Sequence, residues 1–81
     1  MDKSRYLTPY SSIDGYHRRR NLENYSFVCV VYQTIGKEWT HSFYTEKQRY
    51  FDTKEGAMTS MDTLLVNKGY ILLTEEQMLL L

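Results

Sequence analysis

The sequence has little of most things that announce a chemistry. It holds one cysteine, one proline, four glycines and two histidines in 81 residues. A single cysteine excludes an internal disulfide and a paired-cysteine metal site. Cys29 also lies mid-strand in an apolar run, where a thiol packs rather than reacts. The glycines are scattered, so there is no phosphate-cradling glycine loop, and no nucleophile elbow is present. Ten Lys and Arg balance ten Asp and Glu, which leaves no bulk field to draw the chain to nucleic acid or an anionic membrane. The longest apolar run, Phe27 to Tyr32, is far shorter than the roughly 20 residues of a membrane helix, and no amino-terminal segment resembles a signal peptide. Repeats and low-complexity tracts are missing too. Together these absences predict a soluble, cytoplasmic, single-domain protein with no cofactor, no metal, no membrane partner and no small-molecule substrate. They argue against an enzyme, and a core this small has little stability to spare for a strained catalytic site.

What is present is a run of alternating strand pattern followed by helical pattern. Residues 25–34 read YSFVCVVYQT, β-branched and aromatic, with Phe27, Cys29 and Val31 on one face and Val28, Val30 and Tyr32 on the other. Both faces are apolar, which predicts a strand that is central or covered on both sides. Ile35, Gly36, Lys37 and Glu38 supply a hairpin turn with a glycine able to take positive φ. The returning strand, Trp39 to Tyr44, alternates and should be half buried. After a polar turn, Arg49, Tyr50 and Phe51 are long enough for a third strand of the meander.

At Asp52 the period changes from two to 3.6. Ala57, Met58, Met61, Leu64 and Leu65 share a helical face, with Asp52 or Thr53 as the N-cap and the helix ending between Asn67 and Gly69. Tyr70 to Leu73 then form a short apolar strand that must join the sheet. Thr74 with Gln77 three residues on has the spacing of a capping box, which predicts a short terminal helix. The expected fold is therefore α+β: a small antiparallel sheet of three to four strands in β-β-β-α-β order, one main helix on one face, an irregular N-terminal arm over residues 1–24 and a short C-terminal helix closing the 25–81 domain. The arm holds Pro9 and a Ser, Asp and Gly cluster, yet Tyr6, Leu7, Tyr10, Ile13 and Tyr16 should drape it on the sheet or helix, or order it on a partner.

The double-stranded-RNA-binding domain also places a helix after a β meander, but this chain matches no one family and lacks a clear first helix. Asp52, Thr53, Lys54 and Glu55 stand where that family needs a lysine-rich helix start, which removes the phosphate contacts the resemblance would imply.

Two binding surfaces remain. Met78, Leu79, Leu80 and Leu81 cover more than one helical face, so they either pack on the body, meet a second copy or dock on another protein. Eight tyrosines suit an interface, with Tyr44 and Tyr50 the candidates for exposure. These features predict a non-enzymatic protein-binding module of inhibitor or adaptor type, in the style of a small phage-type accessory protein, with a protein partner or self-association. The alternative is a weak single-stranded nucleic-acid binder. Residues 1–24 carry a net +2, and Arg18, Arg19 and Arg20 beside Tyr16 combine phosphate forks with a stacking ring. His41 lacks a second histidine or carboxylate nearby in sequence and reads as a structural, hydrogen-bonded side chain.

Overall fold

A computed structural model describes residues 3–13, 15–23, 26–43 and 48–81. The elements in chain order are β1 (Tyr6–Leu7), β2 (Ser11–Ile13), β3 (Tyr16–Arg20), β4 (Phe27–Gln33), β5 (Trp39–His41), α1 (Lys54–Asn67), β6 (Ile71–Leu72) and α2 (Glu75–Leu79). The architecture is α+β. A four-stranded antiparallel sheet, β2-β3-β4-β5, carries α1 on one face, and β1 pairs with β6 in a small parallel sheet.

β4 forms the spine because its β-branched run fits a pleated, packed surface. Cys29 and Val31 project from it into a core completed by Ala57, Met61 and Leu65 of α1 and by Leu7 of β1. The three helical residues recur every four positions, which places them on one stripe toward the sheet. Thr53 is the N-cap, its hydroxyl accepting from the Gly56 amide at 3.1 Å. The helix stops after Asn67, where Gly69 takes φ +89° and the Tyr70 amide returns to the Leu65 carbonyl, a termination that a left-handed residue makes possible. α2 has the full capping box between Thr74 and Gln77.

Four expectations are corrected. The segment 1–24 is not an irregular arm: its described residues supply β1, β2 and β3, with β3 paired along its length to β4. Arginines disguise β3 as a charged tract, but their alternation is that of a strand with one buried face. In the hairpin after β4 the left-handed residue is Lys37, at φ +66°, and not Gly36. The Lys37 amide donates to the Thr34 carbonyl and the Thr34 amide to the Glu38 carbonyl. The third meander strand contracts to a bridge in which Phe51 and Trp39 exchange two backbone hydrogen bonds, at 2.7 and 2.8 Å. Finally, the strand after α1 pairs with β1 and leaves the main sheet alone.

Candidate functional site

Among the described residues no helix is packed on the face of the sheet away from α1. Strand pairing sets its composition: Ile13 lies opposite Tyr16, Tyr16 opposite Tyr32, and Arg18 opposite Val30. Because Cys29 and Val31 point to the helix, alternation turns these residues the other way. The Tyr16 and Tyr32 rings stack with centroids 6.0 Å apart and planes at 22°. The Arg18 guanidinium lies 4.7 Å above the Phe27 ring, which is half exposed. No described residue of β2, β3, β4 or β5 is acidic. The result is an aromatic face with positive charge, able to stack flat groups and to contact anions or acidic side chains.

Arg19 points the opposite way. Its Nε and Nη2 donate to the two carboxylate oxygens of Asp62 at 3.1 and 3.0 Å, Nη1 donates to the Thr8 carbonyl at 2.9 Å, and the guanidinium covers the Tyr10 ring at 4.3 Å. It is buried and fully engaged, so the arginine triplet splits across the sheet and only Arg18 and the half-buried Arg20 share the Tyr16 side. Burial holds the Asp62 carboxyl above the usual range, with Arg19 opposing that shift.

The second surface is carboxy-terminal. No residue of α2 is buried; Leu79 and Leu80 are 86% and 87% exposed, Leu81 is about half exposed and Met78 half-buried. Tyr50 is exposed, its hydroxyl donating to Gln48 Oε1 at 3.1 Å. Tyr44 lies outside the described residues.

A third feature was not legible in the sequence. An open cleft of about 600 Å³ lies between the sheet and the first turn of α1, and His17, Trp39, Gln33, Ser12, Lys54 and Glu55 contribute to its walls. Strand pairing and helix docking bring together residues from five elements, and no short motif encodes that.

Cys29 and His41 are both buried. Burial pushes the Cys29 thiol up to about 11, with the Tyr10 hydroxyl 3.8 Å from its sulfur, so it is not a thiolate at neutral pH. His41 is buried, its Nε2 3.4 Å from Ser60 Oγ and its ring 5.9 Å from that of Phe51. Among the described residues no group of three His, Cys, Asp or Glu side chains is placed to hold a metal ion, and no helix is long and apolar enough to cross a membrane. No protein-family model matches the chain, and no curated protein or solved structure matches it either.

Proposed function

We propose that this protein is a non-enzymatic protein-binding module of inhibitor or adaptor type, which engages its partner through the apolar residues of α2 and the segment after it. The observation that carries this reading is the exposure of Leu79 and Leu80, at 86% and 87%, as the last residue and the C-cap of a helix whose start is fixed by a capping box. Two neighbouring leucines in water on a preformed turn lose little conformational freedom on docking, and burying both is worth about 3–6 kcal/mol before the costs of association. The partner is a protein with an apolar groove, or a second copy of this chain.

The test uses affinity capture with the intact chain, L79S/L80S and R18A/R20A, followed by identification of what is retained. A protein held by the intact chain and by R18A/R20A but lost from L79S/L80S supports the reading. Equal retention by all three sinks it. Sedimentation at increasing concentration separates the self-association form, because a mass that stays monomeric excludes a second copy as partner.

A second reading, single-stranded nucleic-acid binding, is favoured by the Tyr16–Tyr32 stack and Arg18, on strands that carry no acidic side chain among their described residues. With Arg19 turned inward, Arg18 and Arg20 remain to neutralise phosphates. Binding of labelled single strands, followed by anisotropy against salt, should then give a log-log slope of about 1.4 in magnitude, at about 0.7 per neutralised phosphate. Absence of binding at low salt removes this reading.

A further inference from the structure

The cleft at the start of α1 has the makings of a small-molecule site that neither proposed surface uses. α1 is a 14-residue helix, and its first-turn amides are positioned as in any helix amino terminus. The Gly56 amide is taken by Thr53 Oγ1 and the Ala57 amide by the Thr53 carbonyl. That leaves the amides of Lys54 and Glu55, both of which line the cleft, without a hydrogen-bond partner among the described residues. They carry the positive end of the helix dipole, and Lys54 adds the cation of its own side chain to the same turn.

A helix terminus alone is not a site. The second observation is His17. It is only 8% exposed, yet its imidazole borders the cleft, and neither ring nitrogen has a hydrogen-bond partner among the described residues. Its nitrogens are not sealed from solvent, so what meets them is whatever occupies the cleft, water or a ligand. Its ring is 6.0 Å from that of Trp39, which lines the same wall. Trp39 and His17 together offer a flat apolar surface with a polar edge, and Gln33 and Ser12 add further hydrogen-bonding groups. A volume of about 600 Å³ is in the range that holds a ligand of mononucleotide size.

We propose that this cleft binds a small phosphate monoester bearing a flat ring, of mononucleotide size, with the phosphate on the Lys54 and Glu55 amides and the Lys54 ammonium, and the ring against Trp39 and His17. The Glu55 carboxylate opposes it. That side chain is largely exposed and lies 4.0 Å from the Lys54 ammonium, so it competes with a phosphate for the same cation. This gives the site a signature in two adjacent residues: removing the charge of Lys54 weakens binding, and removing that of Glu55 strengthens it.

Trp39 is the only tryptophan, so its fluorescence reports the cleft directly. The experiment titrates the full chain with adenosine 5′-monophosphate, adenosine and inorganic phosphate, in parallel with H17Q, K54Q and E55Q. The expected result is a saturable change with the monophosphate at millimolar concentration or below, and binding about tenfold weaker for adenosine and for phosphate alone, since each lacks one half of the contacts. K54Q and H17Q should each weaken the monophosphate about five- to tenfold, as loss of a charge-assisted or otherwise unmade hydrogen bond does, and E55Q should tighten it. No saturable change with any of the three compounds overturns the proposal. So does monophosphate binding that K54Q and E55Q leave unchanged, or binding of adenosine as tight as that of its monophosphate. Lys54 and Glu55 are at the surface, so those two variants decide the matter even where H17Q does not fold.

Discussion

Arg19 sits between two arginines that face the other side of the sheet, and its guanidinium has exchanged water for Asp62, the Thr8 carbonyl and the Tyr10 ring. Removing one partner of a buried pair leaves the other charge desolvated and alone. Arg19→Ala should therefore cost about 3–5 kcal/mol in urea unfolding, while the double variant R19M/D62L, which removes both charges and keeps apolar volume, should lose clearly less than the sum of the single changes. If R19A unfolds within about 0.5 kcal/mol of the parent, the pair is an exposed one and the inward orientation of Arg19 is wrong. The two histidines make a pH prediction. Burial lowers the pKa of both His17 and His41 below the usual 6.5. The unfolded chain thus binds protons that the folded one refuses, so their stabilising contribution is complete above about 6.5 and is lost as pH falls through the folded values. Asp62 has the opposite shift, upward from 3.8 through burial. Its protonation favours the native state, so it gives stability as pH falls toward 3.8 and takes it away as pH rises through the folded value. Unfolding midpoints should fall when the pH drops below about 6.5, and a profile for His41→Gln should be flatter across that window. Identical slopes would place His41 in water.

At the scale of elements, two glycines separate backbone strain from crowding. Gly15, between β2 and β3, has φ +73° and nothing within 4 Å of an added Cβ; Gly69, after α1, has φ +89° and would place a Cβ 3.1 Å from Arg5 Nη1. That Arg5 nitrogen donates to the Lys68 carbonyl at 2.7 Å and so satisfies the end of α1. Gly15→Ala should cost about 1–2 kcal/mol, the left-handed penalty alone. Gly69→Ala should exceed it by about 1 kcal/mol, because Arg5 must also give up its hydrogen bond. Equal costs would show that Arg5 does not hold the helix end. The elements also show why some of the fold was legible in the sequence and some was not. α1, its Thr53 cap and the capping box of α2 could be read because helix starts are encoded by neighbouring residues. β4 could be read from its apolar run. β3 could not, since Tyr16 to Arg20 looks solvated until Asp62, 43 residues from Arg19, supplies the partner that lets an arginine face inward. The open sheet face was half legible: Tyr16 and Arg18 stand out by composition, whereas the apolar run holding Phe27 and Tyr32 predicts a strand either central or covered on both sides, and β4 is central with one face open. The cleft left no local trace, because His17, Trp39 and Lys54 meet only once sheet and helix are assembled.

At the scale of the whole molecule, the described residues of 3–23 and the last third of the chain are closed on each other. Tyr6 and Leu7 pair in parallel with Ile71 and Leu72, the Ile71 amide donates to the Arg5 carbonyl at 2.7 Å, and the Leu22 amide returns to the Tyr6 carbonyl. Leu7 is wholly buried among Val31, Met61 and Leu65. A split into an arm, 1–24, and a self-sufficient domain, 25–81, would cut through this closure: a chain starting at 25 lacks two of the four strands of the main sheet, the partner of β6 and the arginine that pairs with Asp62. For a domain of this size the total stability is a few kcal/mol above zero, and loss of Leu7 alone, as Leu7→Ala, should cost about 2–5 kcal/mol. The 25–81 fragment should therefore show no cooperative thermal transition and collapsed amide dispersion in NMR spectra, where the full chain shows both a transition and dispersed signals. Leu7→Ala tests the same closure with every strand retained: its transition should remain cooperative but shift downward. A fragment that folds by itself, or a Leu7→Ala chain as stable as the parent, would mean that residues 3–23 lie on the sheet without being part of it, and the core would have to be redrawn around β4 and α1 alone.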